Sequence, residues 1–285
     1  MLLAVPALRA LRAAGPVTLA AQPRIAALLH ALGVVDAHVA FDDLGLDALF
    51  SDDTARTPRL PVTERVVSWF GARDPVFRHR LGALAPGAVI APSIEPGRPV
   101  WQHLLATVGA PAGDWCAPIE VPGSLRALGA ATRMAAGGDG PPPWLVVHPG
   151  AGSPAKCWPA AAFARVLTTL ASRARLNVAV HQGPADAAAG AALHRHVGDG
   201  VVWLREPALP ALAGVLAGAA LFVGNDSGVS HLAAALGVPS LVLFDARHLD
   251  WRPWWPGAGV RTVTLTAMVD EEVADVIADL EGRLR

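Results

Sequence analysis

Apolar positions in this chain fall into short blocks of two kinds. One kind recurs every three or four residues, as on one face of a helix. The other is a continuous apolar run closed by glycine or proline, as in a buried strand. Residues 2–11 set Leu2, Leu3, Val5, Leu8 and Leu11 roughly on one helical face, and Gly15-Pro16 ends the pattern. Strand-like runs follow at 17–21, 37–41, 62–69 and 88–92, with helical stretches at 24–32 and 100–108. The rhythm restarts more cleanly after residue 143. It predicts strands at 144–148, 177–181, 201–204, 221–224 and 240–244, and helices at 159–173, 187–196, 208–219, 230–236 and 270–284. The last helix opens on Asp270, Glu271 and Glu272 and closes on Arg283 and Arg285, an order that suits the helix dipole. Alternating helices and strands predict parallel sheets covered on both faces.

The stretch 137–143 (GGDGPPP) separates the two series, since glycine cannot hold a helix and proline favours extended chain. The expected architecture is α/β, with doubly wound domains at 1–138 and 139–285 and a cleft between them. A length of 285 residues agrees with two domains at about 150 residues each. No fixed-period repeat is visible.

Composition narrows the function classes. The chain is 53% hydrophobic and 16% charged, which excludes a disordered chain. Residues 1–138 hold 12 arginines against 11 acids, and 139–285 hold 11 basic residues against 13 acids. Neither half has the basic excess of a nucleic-acid binder. Two cysteines, Cys116 and Cys157, are too few for a disulfide framework or a cysteine-rich zinc site and point to a reducing compartment. The apolar N-terminus has no basic leading region and is interrupted by Arg9 and Arg12, unlike a signal peptide. Residues 207–225 carry no charge and could span a bilayer by length. Pro207, Pro210, Gly214, Gly218 and Gly224 punctuate them, so they are read as a buried helix and a strand.

Two segments carry chemistry. The first, Phe222 to His231 (FVGNDSGVSH), runs from a buried strand through a polar turn into a helix. The first amides of a helix lack intrahelical partners and the macrodipole is positive there, so a diphosphate could rest on that end. Gly228 permits close approach, and His231 lies one turn further on. Either Asp226 or Ser227 can cap the helix, leaving the other for a ligand hydroxyl. An ordinary capped turn has the same pattern. The second segment, His148 to Pro159 (HPGAGSPAKCWP), leaves the first strand of the rear domain as a glycine-containing loop. Its spacing is not that of a P-loop. Lys156 is the chain's single lysine among 23 basic residues. A compact ammonium kept where every other basic site is arginine suits a phosphate or a departing diphosphate. Asn225 is one of only two asparagines, which points to a specific role in its turn.

Loops that follow parallel strands meet at one sheet edge. The loop 182–186 ends there too, and its Asp186 could bond a sugar hydroxyl or stand solvated. Trp251, Trp254 and Trp255 offer either ring packing or stacking on a ligand. Residues 54–80 hold six arginines and two acids, either a solvated face or a surface for an anionic acceptor.

The segments HPGAGSPAK-x-WP and FVGNDSGVSHLAAALGVPSLVLF resemble the family 9 glycosyltransferases, the ADP-heptose:lipopolysaccharide heptosyltransferases, through most of 144–256. The opening LLAVPALRALR resembles the family more weakly. The resemblance implies a GT-B fold of two facing Rossmann-like domains, with the nucleotide-sugar on the rear domain and the acceptor on the front one. It implies inverting, metal-free transfer from an ADP-sugar to an anionic glycolipid, with no cofactor. It also implies a cytoplasmic place, peripheral on the inner face of the inner membrane. Carried over, Lys156 and Asp226 belong to the reacting centre. Gly152, Ser153, Ser227, Gly228 and His231 bind the donor beside them. The family opens with a strand and a Gly-Asp loop whose aspartate is the proposed base; here Met1 stands just past that point, so the domain lacks its first strand. A start assigned too late, a shortened binding-only member, or another carboxylate such as Asp42, Asp43 or Glu95 would each account for it. The first predicts Gly-Asp in the codons before Met1. Rival readings are a GT-B nucleotide-sugar epimerase and a non-catalytic nucleotide-sugar-binding module.

Overall fold

A computed structural model describes residues 1–51, 58–110, 113–141 and 143–284. The arginine-rich stretch 54–80, the linker 137–143 and the C-terminal Arg285 thus fall partly outside the described residues. The chain forms two compact units, one of Met1 and Leu3–Trp115, the other of Leu2 and Cys116–Arg285.

The first unit contains α1 (Val5–Ala14), β1 (Thr18–Ala21), α2 (Pro23–Ala31), β2 (Ala37–Ala40), β3 (Val67–Ser68), α3 (Pro75–Leu84), β4 (Val89–Ile90) and α4 (Val100–Thr107). The amphipathic reading of the N-terminus holds: α1 buries Val5, Ala7 and Leu8 while Arg12 stays exposed. Strand pairing differs from the expected single sheet. Among the described residues, β1 pairs with β2 and β3 pairs with β4 in two separate parallel pairs. The strand predicted at 62–69 shrinks to β3. Pro61 has no amide hydrogen for a ladder and Val62 is fully exposed, so nothing rewards pairing there. Leu44, Leu46, Leu49, Phe77 and Leu81 form one core cluster of this unit, and Ala20, Val39 and Ile90 from β1, β2 and β4 pack against it.

The second unit contains α5 (Gly123–Ala135), β5 (Trp144–His148), α6 (Ala160–Ala174), β6 (Asn177–Gln182), α7 (Ala187–Val197), β7 (Val202–Arg205), α8 (Leu209–Ala217), β8 (Leu221–Asn225), α9 (Gly228–Ala235), β9 (Ser240–Phe244), β10 (Gly259–Thr262) and α10 (Asp270–Arg283). Its six strands are parallel in the order β10-β9-β8-β5-β6-β7. Every residue of β5, β8 and β9 is buried, as expected for strands covered on both faces. Trp158, Phe163, Leu167 and Leu170 join Leu145, Val147, Leu221, Val223 and Leu280 in one core cluster.

Residues 207–225 resolve into α8 and β8. No helix among the described residues is long and apolar enough to cross a membrane. Three elements escape the sequence pattern, α3, α5 and β10. The helix α5 buries only Gly129 and leaves Leu128 and Met134 exposed. It docks instead by backbone contact: a Cβ on Gly129 would stand 2.1 Å from the Gly214 carbonyl carbon of α8, and one on Gly214 would stand 1.8 Å from Leu125 O. This close packing puts α5 in the second unit, which begins at Cys116 apart from Leu2, whereas the sequence places the domain boundary at 138.

The chain order sets the position of the site. From β5 the chain moves outward through β6 and β7, then returns to the other side of β5 as β8. The strand order therefore reverses between β5 and β8, the switch point where a parallel sheet leaves a crevice between the loops at its carboxyl ends. Those loops are 149–158 and 226–228.

Candidate functional site

Ser227 is the residue that caps α9. Its Oγ accepts from Ser230 N at 3.2 Å. The amide of His231 donates to Ser227 O, and the amides of Gly228 and Val229 have no acceptor among the described residues. With capping done by Ser227, the Asp226 carboxylate is free for other partners. Lys156 Nζ donates to Asp226 Oδ2 at 3.0 Å, and His231 Nε2 lies 3.4 Å from Oδ1. The site thus combines Lys156, Asp226, His231 and the start of α9.

A single buried amide holds the two loops together. Asn225 is 0% exposed; its Oδ1 accepts from Trp158 N at 3.0 Å and its Nδ2 donates to Pro149 O at 2.8 Å. The loop carrying Lys156 is therefore pinned at both ends to the residue preceding Asp226. The rarity of asparagine in the chain was the only trace of this role in the sequence.

Electrostatics follow from the burial. Desolvation alone would raise the Asp226 pKa. Hydrogen bonds from His231 and Lys156 outweigh it and hold the carboxyl below its ordinary value. The carboxylate is charged at neutral pH and neutralises part of the Lys156 ammonium. That ammonium keeps two further N–H donors for a ligand. His231 Nδ1 is buried with no hydrogen-bond partner among the described residues. A Cβ on Gly228 or Gly152 would meet nothing within 4 Å, so both lie against open space. Ser153 O accepts from Lys156 N at 3.0 Å and tightens the turn that presents the lysine. An anion entering here would meet one ammonium, two helix-start amides and one carboxylate.

Asp186 is not part of this group. Its carboxylate is neither solvated nor turned towards Lys156: Oδ2 accepts from Gly183 N at 2.9 Å and lies 3.9 Å from His148 Nε2, and the side chain is 11% exposed. His148 ends β5 and His181 is the penultimate residue of β6, two residues that sequence reading did not connect, in a register that pairs Val147 with Val180. Their Nδ1 atoms stand 3.0 Å apart. Burial lowers both imidazole pKa values, that of His181 to about 3, and the nearby Asp186 charge only partly offsets this for His148. At most one proton lies between the two rings. His148, His181 and Asp186 are metal-ligand residue types within 4.8 Å of one another. His181 approaches Nδ1 of the His148 ring at 3.0 Å, and Asp186 lies 3.9 Å from its Nε2. Of the three tryptophans considered for stacking, Trp254 is buried and Trp251 exposed.

Comparison with known proteins agrees with this layout. Residues 108–277 match the family model described as glycosyltransferase family 9 (heptosyltransferase). Lipopolysaccharide heptosyltransferase 3 of Escherichia coli is 33% identical over 121 residues, which are 39% of this chain and 34% of that protein. The chain thus aligns with about a third of that relative's length. Two solved structures share the fold. The E. coli ADP-heptose LPS heptosyltransferase II is 18% identical with a TM-score of 0.74, covering 100% of this chain and 95% of that one. The E. coli heptosyltransferase WaaC with ADP is 16% identical with a TM-score of 0.66, covering 98% and 95%. The matched span takes in both loops of the crevice and the sheet that carries them, and on that ground the chain belongs to glycosyltransferase family 9.

Proposed function

We propose that this chain transfers a sugar, a heptose, from an ADP-sugar to an anionic lipopolysaccharide core acceptor with inversion at the anomeric carbon. The second unit binds the donor and the first unit faces the acceptor. The observation that carries this reading is the Lys156–Asp226 pair, 3.0 Å apart beside the free amides of α9 at the reversal point of the sheet. Relatives support the donor and acceptor: one solved neighbour is an ADP-heptose LPS heptosyltransferase, another was solved with ADP, and a sequence relative is a lipopolysaccharide heptosyltransferase.

In the proposed step an acceptor hydroxyl attacks the anomeric carbon from the face opposite the nucleotide. A new C–O bond forms as the bond from that carbon to the diphosphate oxygen breaks, and the electron pair leaves with ADP. The hydroxyl proton passes to a base supplied from the acceptor side. Charge grows on the diphosphate as the bond breaks. Lys156 and the amides of Gly228 and Val229 are placed to meet it, and the proposed step uses no metal or cofactor. Asp226 orients Lys156 and His231 and offers its oxygens to donor hydroxyls, with Gly152, Ser153 and Ser227 lining the donor loop. The acceptor places the reaction at the cytoplasmic face of the inner membrane, where the protein makes peripheral contact.

Calorimetric titration with ADP and with ADP-heptose tests the reading. Binding of both, with transfer to a heptose-deficient core, is the expected result. Failure of the wild-type protein to bind either nucleotide would overturn it. Conversion of the donor sugar without an acceptor would point to an epimerase instead.

A further inference from the structure

The loop from His148 to Lys156 is held on one side by Asn225. Its other side rests on Asp186. A Cβ on Gly150 would stand 2.1 Å from Asp186 Oδ1, 2.3 Å from its Cγ and 2.9 Å from its Cβ, so the three nearest atoms all belong to that one residue. The backbone of Gly150 is not in the left-handed region. The absence of a side chain there is therefore demanded by Asp186 and not by the turn. Gly183 meets the same carboxylate from the other side, where a Cβ would stand 2.7 Å from Oδ2.

Asp186 occupies the N-cap position of α7 yet makes no side-chain capping bond there. A carboxylate at that position ordinarily stabilises its own helix. Here it is spent on the Gly183 amide, at 2.9 Å, and on the space under Gly150. His148 Nε2 lies 3.9 Å from Oδ2, and His148 is braced in turn by His181, with Nδ1 atoms 3.0 Å apart. A buried polar chain thus runs from β6 through the end of β5 to the start of α7, directly beneath the glycine turn.

We propose that Asp186 is a positioning residue, which fixes the Gly150 turn and thereby places Lys156, and acts on the donor through this loop without touching it. The inference rests on the donor reading above and names the residue that sets that site's geometry. It also replaces the expectation that Asp186 bonds a sugar hydroxyl.

The test is a double-mutant cycle of Gly150→Ala and Asp186→Gly, with Asp186→Asn as the conservative variant. Two readouts are taken on the full chain. The first is the rate at which iodoacetamide alkylates Cys157, the half-buried neighbour of Lys156, resolved by peptide mass. The second is ADP affinity by calorimetry. Gly150→Ala is expected to speed alkylation and weaken ADP binding, each by about tenfold, and in the Asp186→Gly background to add less than about twofold to either. Asp186→Asn keeps an oxygen for the Gly183 amide and is expected to lose less than Asp186→Gly. Should Gly150→Ala alone fail to fold, recovery of folded protein by Asp186→Gly is the same coupling, and no recovery counts against it.

Equal effects of Gly150→Ala in both backgrounds would overturn the proposal. So would an Asp186→Asn variant that weakens ADP binding while Gly150→Ala leaves Cys157 alkylation unchanged, the result of direct donor contact. Alkylation is compared in the Gly150 variant because the Cys157 thiol pKa is raised by burial and also by the Asp186 charge itself. If the alkylation cycle couples as expected but the wild type binds no ADP, the donor reading fails and the positioning of the loop by Asp186 stands.

Discussion

Replacing Asn225 with alanine tests whether one buried amide holds the site together. In the native chain the side chain is fully buried and makes two good hydrogen bonds, from Trp158 N at 3.0 Å and to Pro149 O at 2.8 Å. Truncation strands a buried N–H and a buried C=O. Each unsatisfied group costs about 1–3 kcal/mol, and both bonds are buried, so the expected loss is about 3 kcal/mol. For a unit of this size each kcal/mol lowers Tm by roughly 2–4 °C, which predicts a fall of roughly 6–12 °C. The assay is thermal unfolding followed by tryptophan fluorescence and circular dichroism. Asn225→Asp sharpens it. One carboxylate oxygen can still accept from Trp158, but the other would face the carbonyls of Pro149 and Gly150, at the places where the amide nitrogen lies 2.8 and 3.4 Å from them. Repulsion and burial raise the folded pKa of that aspartate above its unfolded value. The variant is therefore destabilised at neutral pH and regains stability as pH falls through the raised pKa, when the protonated acid donates again. An alanine variant melting within about 2 °C of wild type, or an aspartate variant no more stable at pH 5 than at pH 7 relative to wild type, would refute the reasoning.

Lys156→Ala should weaken ADP binding by about tenfold or more in calorimetry, and Lys156→Arg should restore little, because the turn presents a compact ammonium and not a planar fork. Asp226 has a folded pKa held below its ordinary value, so its ion pairs stabilise the native state above the unfolded pKa of about 3.9 and the benefit is lost as pH falls through the lower folded value. Thermal melts from pH 7 down to pH 3 should therefore show a decline that Asp226→Asn reduces; identical profiles would remove the ion pair from the account. Gly214→Ala drives a Cβ into Leu125 O at 1.8 Å, a backbone clash that no rotamer relieves. It should cost about 3 kcal/mol or prevent folding, read by denaturant unfolding, whereas Gly228→Ala meets open space and should change stability by less than about 1 kcal/mol.

Local chemistry made part of this protein legible from its residues. Strands buried on both faces must be apolar throughout, so β5, β8 and β9 stand out as unbroken runs. The solitary lysine and the Asp-Ser-Gly turn are also local features, and the structure brings them to one crevice. Tertiary structure alone decided the rest. Asp226 and Ser227 are equally good caps by sequence. The choice falls on Ser227 because a lysine 70 residues earlier arrives to claim Asp226. Asp186 reads as a loop carboxylate until Gly150 and Gly183 close around it. The helix α5 docks through the backbone at Gly129, against Gly214 of α8 some 85 residues further on. In the first unit the predicted strands shorten to two residues each at β3 and β4, since a strand persists only where a neighbour supplies its ladder. In each case the deciding partner is distant along the chain, and periodicity within a short window carries no information about it.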